Sequence, residues 1–217
     1  MLGLEMFSKL NNLHLVNFSY NNLFVSINNN LTFTLPNLYW LYLSSCNISE
    51  FPIFIRIATN LQSLDLSKNK IHGQTPKWLG VVGRNSLGFL DLSHNFLTSI
   101  DKIPWKNLDF VDLCNNLLQG PFPMLNALIL RYVFASNNNL TREIPSLICH
   151  ASSLEILDLS HNNLSGTIPK CLVHSNVLSV LDLRMNSLNG TILATFSKGN
   201  KLRNINPNDN QLEGLLP

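Results

Sequence analysis

Four cysteines and six histidines carry the most direct chemistry in this chain of 217 residues. Cys149, His150, Cys171 and His174 combine thiols with imidazoles, a donor set that suits zinc, but their spacing matches no strong zinc pattern. The same two cysteines, about one repeat apart as shown below, are also candidates for a disulfide. His94 and His161 each follow Leu-Ser and precede Asn, yet neither has a nucleophile and a carboxylate arranged beside it. No Ser/His/Asp order, paired-carboxylate site or phosphate loop is present, so neither an enzyme nor a cofactor or metal is expected. Asn17, Asn30, Asn47, Asn139, Asn163 and Asn189 each open an Asn-x-Ser/Thr acceptor for N-glycosylation.

The elements that would position these residues follow from a lopsided composition. The chain holds 42 Leu and 31 Asn, about a third of all positions, while charged residues make up 13%. That charged share is roughly half the ~25% usual for soluble domains. A net charge of +2 is too small to suggest a nucleic-acid or anionic-membrane surface. Its longest uncharged stretch, 10–49, is broken throughout by Asn and Ser, so it does not read as a membrane span. The first five residues lack the cationic and apolar regions of a signal peptide.

Many Leu, many Asn and few charges point to a repeat. Aligning on Leu-x-x-Leu-x-Leu-x-x-Asn-x-Leu recovers nine copies, the clearest being Leu154, Leu157, Leu159, Asn162, Leu164, then Gly166, Ile168 and Pro169. The Asn position recurs at Asn21, Asn69, Asn95, Asn116, Asn138, Asn162, Asn186 and Asn210, with Cys46 standing in for one Asn. Leu157 and Leu159 alternate with polar neighbours, as a half-buried strand should. The Asn amide carries both donor and acceptor and can satisfy turn backbone in its own and the adjacent coil. Gly166 permits a bend, and Pro169 ends an extended segment without needing a donor. One unit cannot bury its apolar edge alone, so neighbours must stack into a curved solenoid with a parallel concave sheet. Residues 1–217 form one such solenoid, mostly β with short 3-10 segments.

Stacking decides which chemistry is reachable. Adjacent coils lie ~4.8 Å apart, so Cys149 and Cys171, one repeat apart on the convex side, are within disulfide reach. The zinc alternative stays open at this level. Cys46 takes an Asn slot and Cys114 is assigned a concave strand slot; three repeats, ~15 Å, separate them, and both are expected to be free thiols. His94 and His161 are also three coils apart and cannot share a metal.

Two columns emerge on the concave face. One reads Asn17, Tyr42, Asp65, Asp91, Asp112, Phe134, Asp158, Asp182, Asn206, an acidic ladder open to a basic ligand or to a role in solubility and register. The other reads Leu15, Trp40, Ser63, Phe89, Phe110, Tyr132, Ile156, Val180, Asn204. Tyr39, Trp40, Tyr42, Phe89, Phe110, Tyr132 and Phe134 thus form an aromatic stripe, read equally as ligand anchors or as lateral packing along the sheet. Asn17 is the least suitable glycan acceptor because it lies on this face. Asn30, Asn47, Asn139, Asn163 and Asn189 sit in or after turns, where a glycan projects into solvent.

The turn Leu-Ser-Gly-Thr-Ile-Pro at 164–169 resembles the plant-type leucine-rich repeat. Stretches 77–105, 145–172 and 196–217 are similar to ectodomains of plant receptor-like proteins of the Cf and Ve disease-resistance type. The resemblance covers essentially the whole chain and implies a leucine-rich-repeat solenoid of the α/β horseshoe class, with nine repeats of roughly 24 residues each. It implies recognition of a peptide or protein ligand outside the plant plasma membrane, in defence or developmental signalling through a co-receptor kinase. Polygalacturonase inhibitors share the repeat and imply a secreted inhibitor instead; a decoy from a duplicated receptor gene is the third reading. Family members carry cysteine-paired caps, a membrane helix and a tail, patterns absent here. The chain is therefore expected to be a central ectodomain fragment or a truncated gene product, attached to a membrane only through a segment outside it. Pro207 in a strand-Leu slot and Leu193 in a Pro slot are further departures.

Overall fold

The computed structural model describes residues 2–3, 7, 9–21, 25–26, 35–125, 129–191 and 199–214. Its organising feature is a nine-stranded parallel sheet with each strand three residues long: Leu15–Asn17, Trp40–Tyr42, Ser63–Asp65, Phe89–Asp91, Phe110–Asp112, Tyr132–Phe134, Ile156–Asp158, Val180–Asp182 and Asn204–Asn206. These strands define coils 1 to 9. Neighbours pair residue for residue, so Phe89 faces Phe110 and Phe110 faces Tyr132. The middle residue points inward and is buried from Val16 through Leu181, while its two neighbours point out.

Beyond each strand the chain turns inside. The ladder amides Asn69, Asn95, Asn116, Asn138 and Asn162 are buried, and each fills its hydrogen-bonding capacity across two coils. Asn162 Nδ2 donates to the carbonyls of Ala135, Leu159 and Ser160, while its Oδ1 accepts the Leu140 N–H. Among the described residues no buried side-chain N or O lacks a partner. Cys46, in the same ladder slot, offers a thiol that donates to the Phe18 and Ser44 carbonyls, but no amide oxygen. Just before the ladder residue the backbone is left-handed in nine coils, with φ of 53–58° from Tyr20 to Asp209. At the third framework position an N–H reaches the next coil, as from Leu159 to Asp182 and from Leu183 to Asn206. Pro207, at that position in coil 9, has no such donor.

After the ladder the chain forms a second layer of strands. Gln119–Gly120, Asn139–Glu143, Asn163–Gly166, Ser187–Thr191 and Gln211–Glu213 make a second parallel sheet, and His72–Gln74 pairs with Phe96–Ser99. The convex side carries 3-10 helices at Ile53–Ile57, Lys77–Val81 and Ser146–His150, and one α-helical turn at Lys170–Val173. Each follows a proline (Pro52, Pro76, Pro145 or Pro169), whose fixed φ suits a helix start and whose missing donor costs nothing there. Among the described residues, no helix is long and apolar enough to cross a membrane.

Candidate recognition surface

The concave aromatic residues do not form one stripe. Ser63 interrupts them and leaves two groups. Near the start, His14 and Tyr39 lie 5.1 Å apart by ring centroid, and Tyr39 and Trp40 lie 5.7 Å apart. Trp40 is exposed, whereas Tyr39 and Tyr42 are half-buried. Around coils 4 to 6, Phe89 stacks on Phe110 at 4.6 Å with a 10° tilt. Phe110 also touches Tyr132 at 6.4 Å and Phe134 at 5.6 Å. In-register pairing brings these rings together, since first-position residues of adjacent strands stand directly opposite. The rings pack laterally and still present half-exposed faces, so lateral packing and an open apolar surface coexist in the same residues.

Charges border the central group on both sides. On one edge Arg131 Nε and Nη2 donate to the two Asp109 carboxylate oxygens at 2.6 Å each, and the guanidinium sits 5.1 Å from the Tyr132 ring centroid. Arg131 also lies 3.9 Å from Glu155, whose carboxylate accepts the Tyr132 hydroxyl at 3.2 Å. The Asp109 carboxylate holds the Arg131 pKa above its ordinary value. This fork lies one residue before the strands, a column adjacent to the two singled out in the sequence, and it was missed there.

On the other edge stand Asp91, Asp112 and Asp158. Each turns one oxygen back onto the residue two positions on: Asp91 Oδ1 accepts from the Ser93 N–H at 2.9 Å and from its hydroxyl at 2.7 Å. Asp65, Asp158 and Asp182 cap their turns in the same way, as does Asn17 with the Ser19 N–H. Burial pushes the Asp91 carboxyl up to about 6 against the pull of these bonds, and burial also raises Asp112. The acidic ladder therefore has a structural duty.

Cys114 does not occupy a concave strand slot. The strand ends at Asp112, and Cys114 is buried in a row otherwise formed by Ser44, Ser67, Ser93, Ser136 and Ser160. Its Sγ lies 3.1 Å from the Ser136 hydroxyl, and burial pushes its pKa up to about 12. Cys149 and Cys171 are disulfide-bonded with their Cα atoms 5.7 Å apart, which removes both thiolates from the zinc alternative. Among the described residues, no cluster of three or more His, Cys, Asp or Glu side chains could hold a metal ion. His94 and His161 occupy the left-handed turn position with φ of 54° and 53°, three coils apart. Asn47, Asn139 and Asn163 share one exposed position, immediately after the ladder residue, and Asn189 is exposed two residues further on. Asn30 lies outside the described residues.

The Leucine Rich Repeat family model matches residues 60–81, 130–151 and 153–175. Receptor-like protein 7 of Arabidopsis thaliana is 50% identical over 135 residues, covering 60% of this chain and 14% of that protein. Receptor-like protein 47 of the same plant is 39% identical over 163 residues, covering 72% of this chain and 20% of that protein. The chain thus spans a fifth or less of the length of these relatives. Among solved structures, the Arabidopsis receptor kinase HAESA, in complex with the peptide hormone IDA and the co-receptor SERK1, matches with a TM-score of 0.70 at 27% identity. That likeness covers 97% of this chain and 40% of that one.

Proposed function

Because the chain belongs to the plant leucine-rich-repeat receptor-like proteins, we propose that it is a recognition segment of a cell-surface receptor and binds a peptide or protein on its concave face. One observation carries this reading: the stacked, half-exposed group of Phe89, Phe110, Tyr132 and Phe134, bordered by charge on both edges. An apolar centre with a charged rim is the anatomy of a protein interface, and aromatic residues are where its energy concentrates. Tyr39, Trp40 and Tyr42 would extend contact toward coil 2. The full-length protein would sit in the plasma membrane with this part outside, signalling through a partner kinase.

Peptide-display selection on the chain tests the assignment. Peptides enriched by the parent chain should bind at least about tenfold more weakly to Phe110→Ala and Tyr132→Ala variants whose circular dichroism is unchanged. Undiminished binding to both variants would remove the concave aromatic group from the function. Glycans on Asn47, Asn139, Asn163 and Asn189 belong to the same extracellular reading, with Asn30 a fifth acceptor. Glycopeptide mapping of the chain secreted from plant cells should find sugar at the exposed Asn47, Asn139, Asn163 and Asn189 and none at Asn17, which lies on the concave sheet.

A further inference from the structure

A hollow lined chiefly by coils 3 and 4 opens where the convex segments of coils 4 and 5 are short. Their ladder steps, Asn95 to Asn116 and Asn116 to Asn138, are the two shortest in the chain, whereas the step of coil 3, Asn69 to Asn95, is the longest. The missing residues come off the convex side. Coil 3 carries the helix Lys77–Val81 and coil 6 the helix Ser146–His150; between them, among the described residues, the convex segments of coils 4 and 5 carry the paired two-residue strands Lys102–Ile103 and Met124–Leu125.

A cavity of about 330 Å³ opens there, walled by Leu79, Leu90, Leu92, Ile100, Ile103 and Trp105. Trp105 is held in the wall by its indole N–H, which donates to the Val82 carbonyl at 2.7 Å. Lys77, Lys102 and Asp101 are charged residues of this lining. The cavity shares Lys77, Gly80, Lys102, Ile103 and Pro104 with a groove of about 910 Å³ across the convex surface, where Arg84, Lys106 and His150 add further basic groups and no carboxylate stands among the described lining residues. Among the described residues, Lys77, Arg84, Lys102 and Lys106 have no carboxylate within ion-pair distance.

Packed interiors leave few voids larger than a water molecule, and ~300–1,000 Å³ is the range of small-ligand clefts. The lining pairs this apolar wall with Lys77 and Lys102, against the single carboxylate of Asp101 among its described residues, so the rim offers cationic donors beside an apolar interior. We propose that this hollow binds a small amphipathic acid, with a hydrocarbon or ring body against Leu79, Leu90, Ile103 and Trp105 and its anionic group at Lys77 and Lys102. The site is separate from the concave surface and does not depend on peptide recognition there.

Decanoate and the uncharged decanol are suitable probes, titrated calorimetrically into the whole 217-residue chain at low salt. Decanoate should bind saturably at one site, at least about tenfold more tightly than decanol. The Lys77→Ala/Lys102→Ala double variant alters two exposed side chains and should lose that tenfold preference while binding decanol unchanged. Gly80→Leu places a side chain beside Pro104, whose Cγ would lie 3.1 Å from an added Cβ, and should weaken both probes by plugging the passage. A native circular dichroism spectrum and quenching of tryptophan fluorescence by decanoate in the parent would accompany these results. Equal affinity for the two probes, an undiminished preference in the lysine double variant, or no saturable decanoate binding up to about 1 mM would overturn the proposal.

Discussion

On the concave side, coil 4 follows coil 3 and precedes coil 5 without a break in register: Ser63, Phe89 and Phe110 pair in sequence, as do Asp65, Asp91 and Asp112. On the convex side the same three coils differ, a five-residue helix giving way to two short strands over a cavity. The difference can be located within each coil. The first framework residue and the ladder residue are eight positions apart in all nine coils, from Leu13 and Asn21 to Leu202 and Asn210. All the variation in ladder step, shortest from Asn95 to Asn116 and longest from Asn69 to Asn95, therefore falls in the convex remainder. Hydrogen bonding explains the contrast. Between the framework Leu and the Asn, nearly every polar group is matched to a particular partner in the next coil, so an inserted residue would orphan several at once. The convex segment meets water, which satisfies whatever backbone groups an altered length exposes.

The strongest challenge to this division is a pair of truncations. Asn162→Ala removes a buried amide that donates to three carbonyls and accepts one N–H. At about 1–3 kcal/mol for each group left unsatisfied, the cost should be on the order of 3 kcal/mol or more. Leu147→Ala trims an apolar side chain that is 36% exposed on the convex rim, and should cost well under about 1 kcal/mol. Urea unfolding midpoints of the two variants measure the gap, and equal costs would abolish the distinction between a constrained inner half and a tolerant outer one.

The same division explains what could be read in the sequence. Strand register, the Asn ladder and the two concave columns were legible because residue type and a fixed spacing of eight determine them. Cys114 was misread because a strand pattern was carried two residues too far; the Ser67, Ser93, Ser136, Ser160 column marked that row as buried. The aromatic column was visible, but not that Phe89, Phe110, Tyr132 and Phe134 pack on one another, since ring contact depends on rotamers. The Arg131 fork needed one more column, Asp109, Arg131 and Glu155, whose alternating charges on adjacent coils are a readable signal. The second sheet was missed because its strands vary in length and follow no Leu alternation. Least legible was the hollow: two short steps announce shortened convex segments, but not whether neighbouring side chains fill the space.

A smaller effect concerns Asp91, which lies within the constrained half, capping its turn through Ser93 while standing beside the concave aromatic group. Its carboxyl is raised to about 6 chiefly by burial, with Asp112 and Asp65 pushing the same way and the Ser93 bonds opposing. A folded pKa above the unfolded value of ~3.9 means that, between about pH 4 and 6, the folded chain holds a proton the unfolded chain has released. Stability from this group is therefore fully present below about pH 4 and is lost as the pH rises through about 6. Asp91→Asn keeps the oxygen that accepts from Ser93, as Asn17 does for Ser19, but carries no charge. The variant should be about 1 kcal/mol more stable than the parent at pH 7 after allowance for partial exposure, with the difference closing near pH 4. Urea midpoints across pH 4–7 decide it. A variant no more stable at pH 7 would make the carboxylate part of the structural framework. A stabilised one would show that the folded state tolerates a charge at a cost, and would place Asp91 with Phe89 and Phe110 among the residues whose value lies in what the concave face meets.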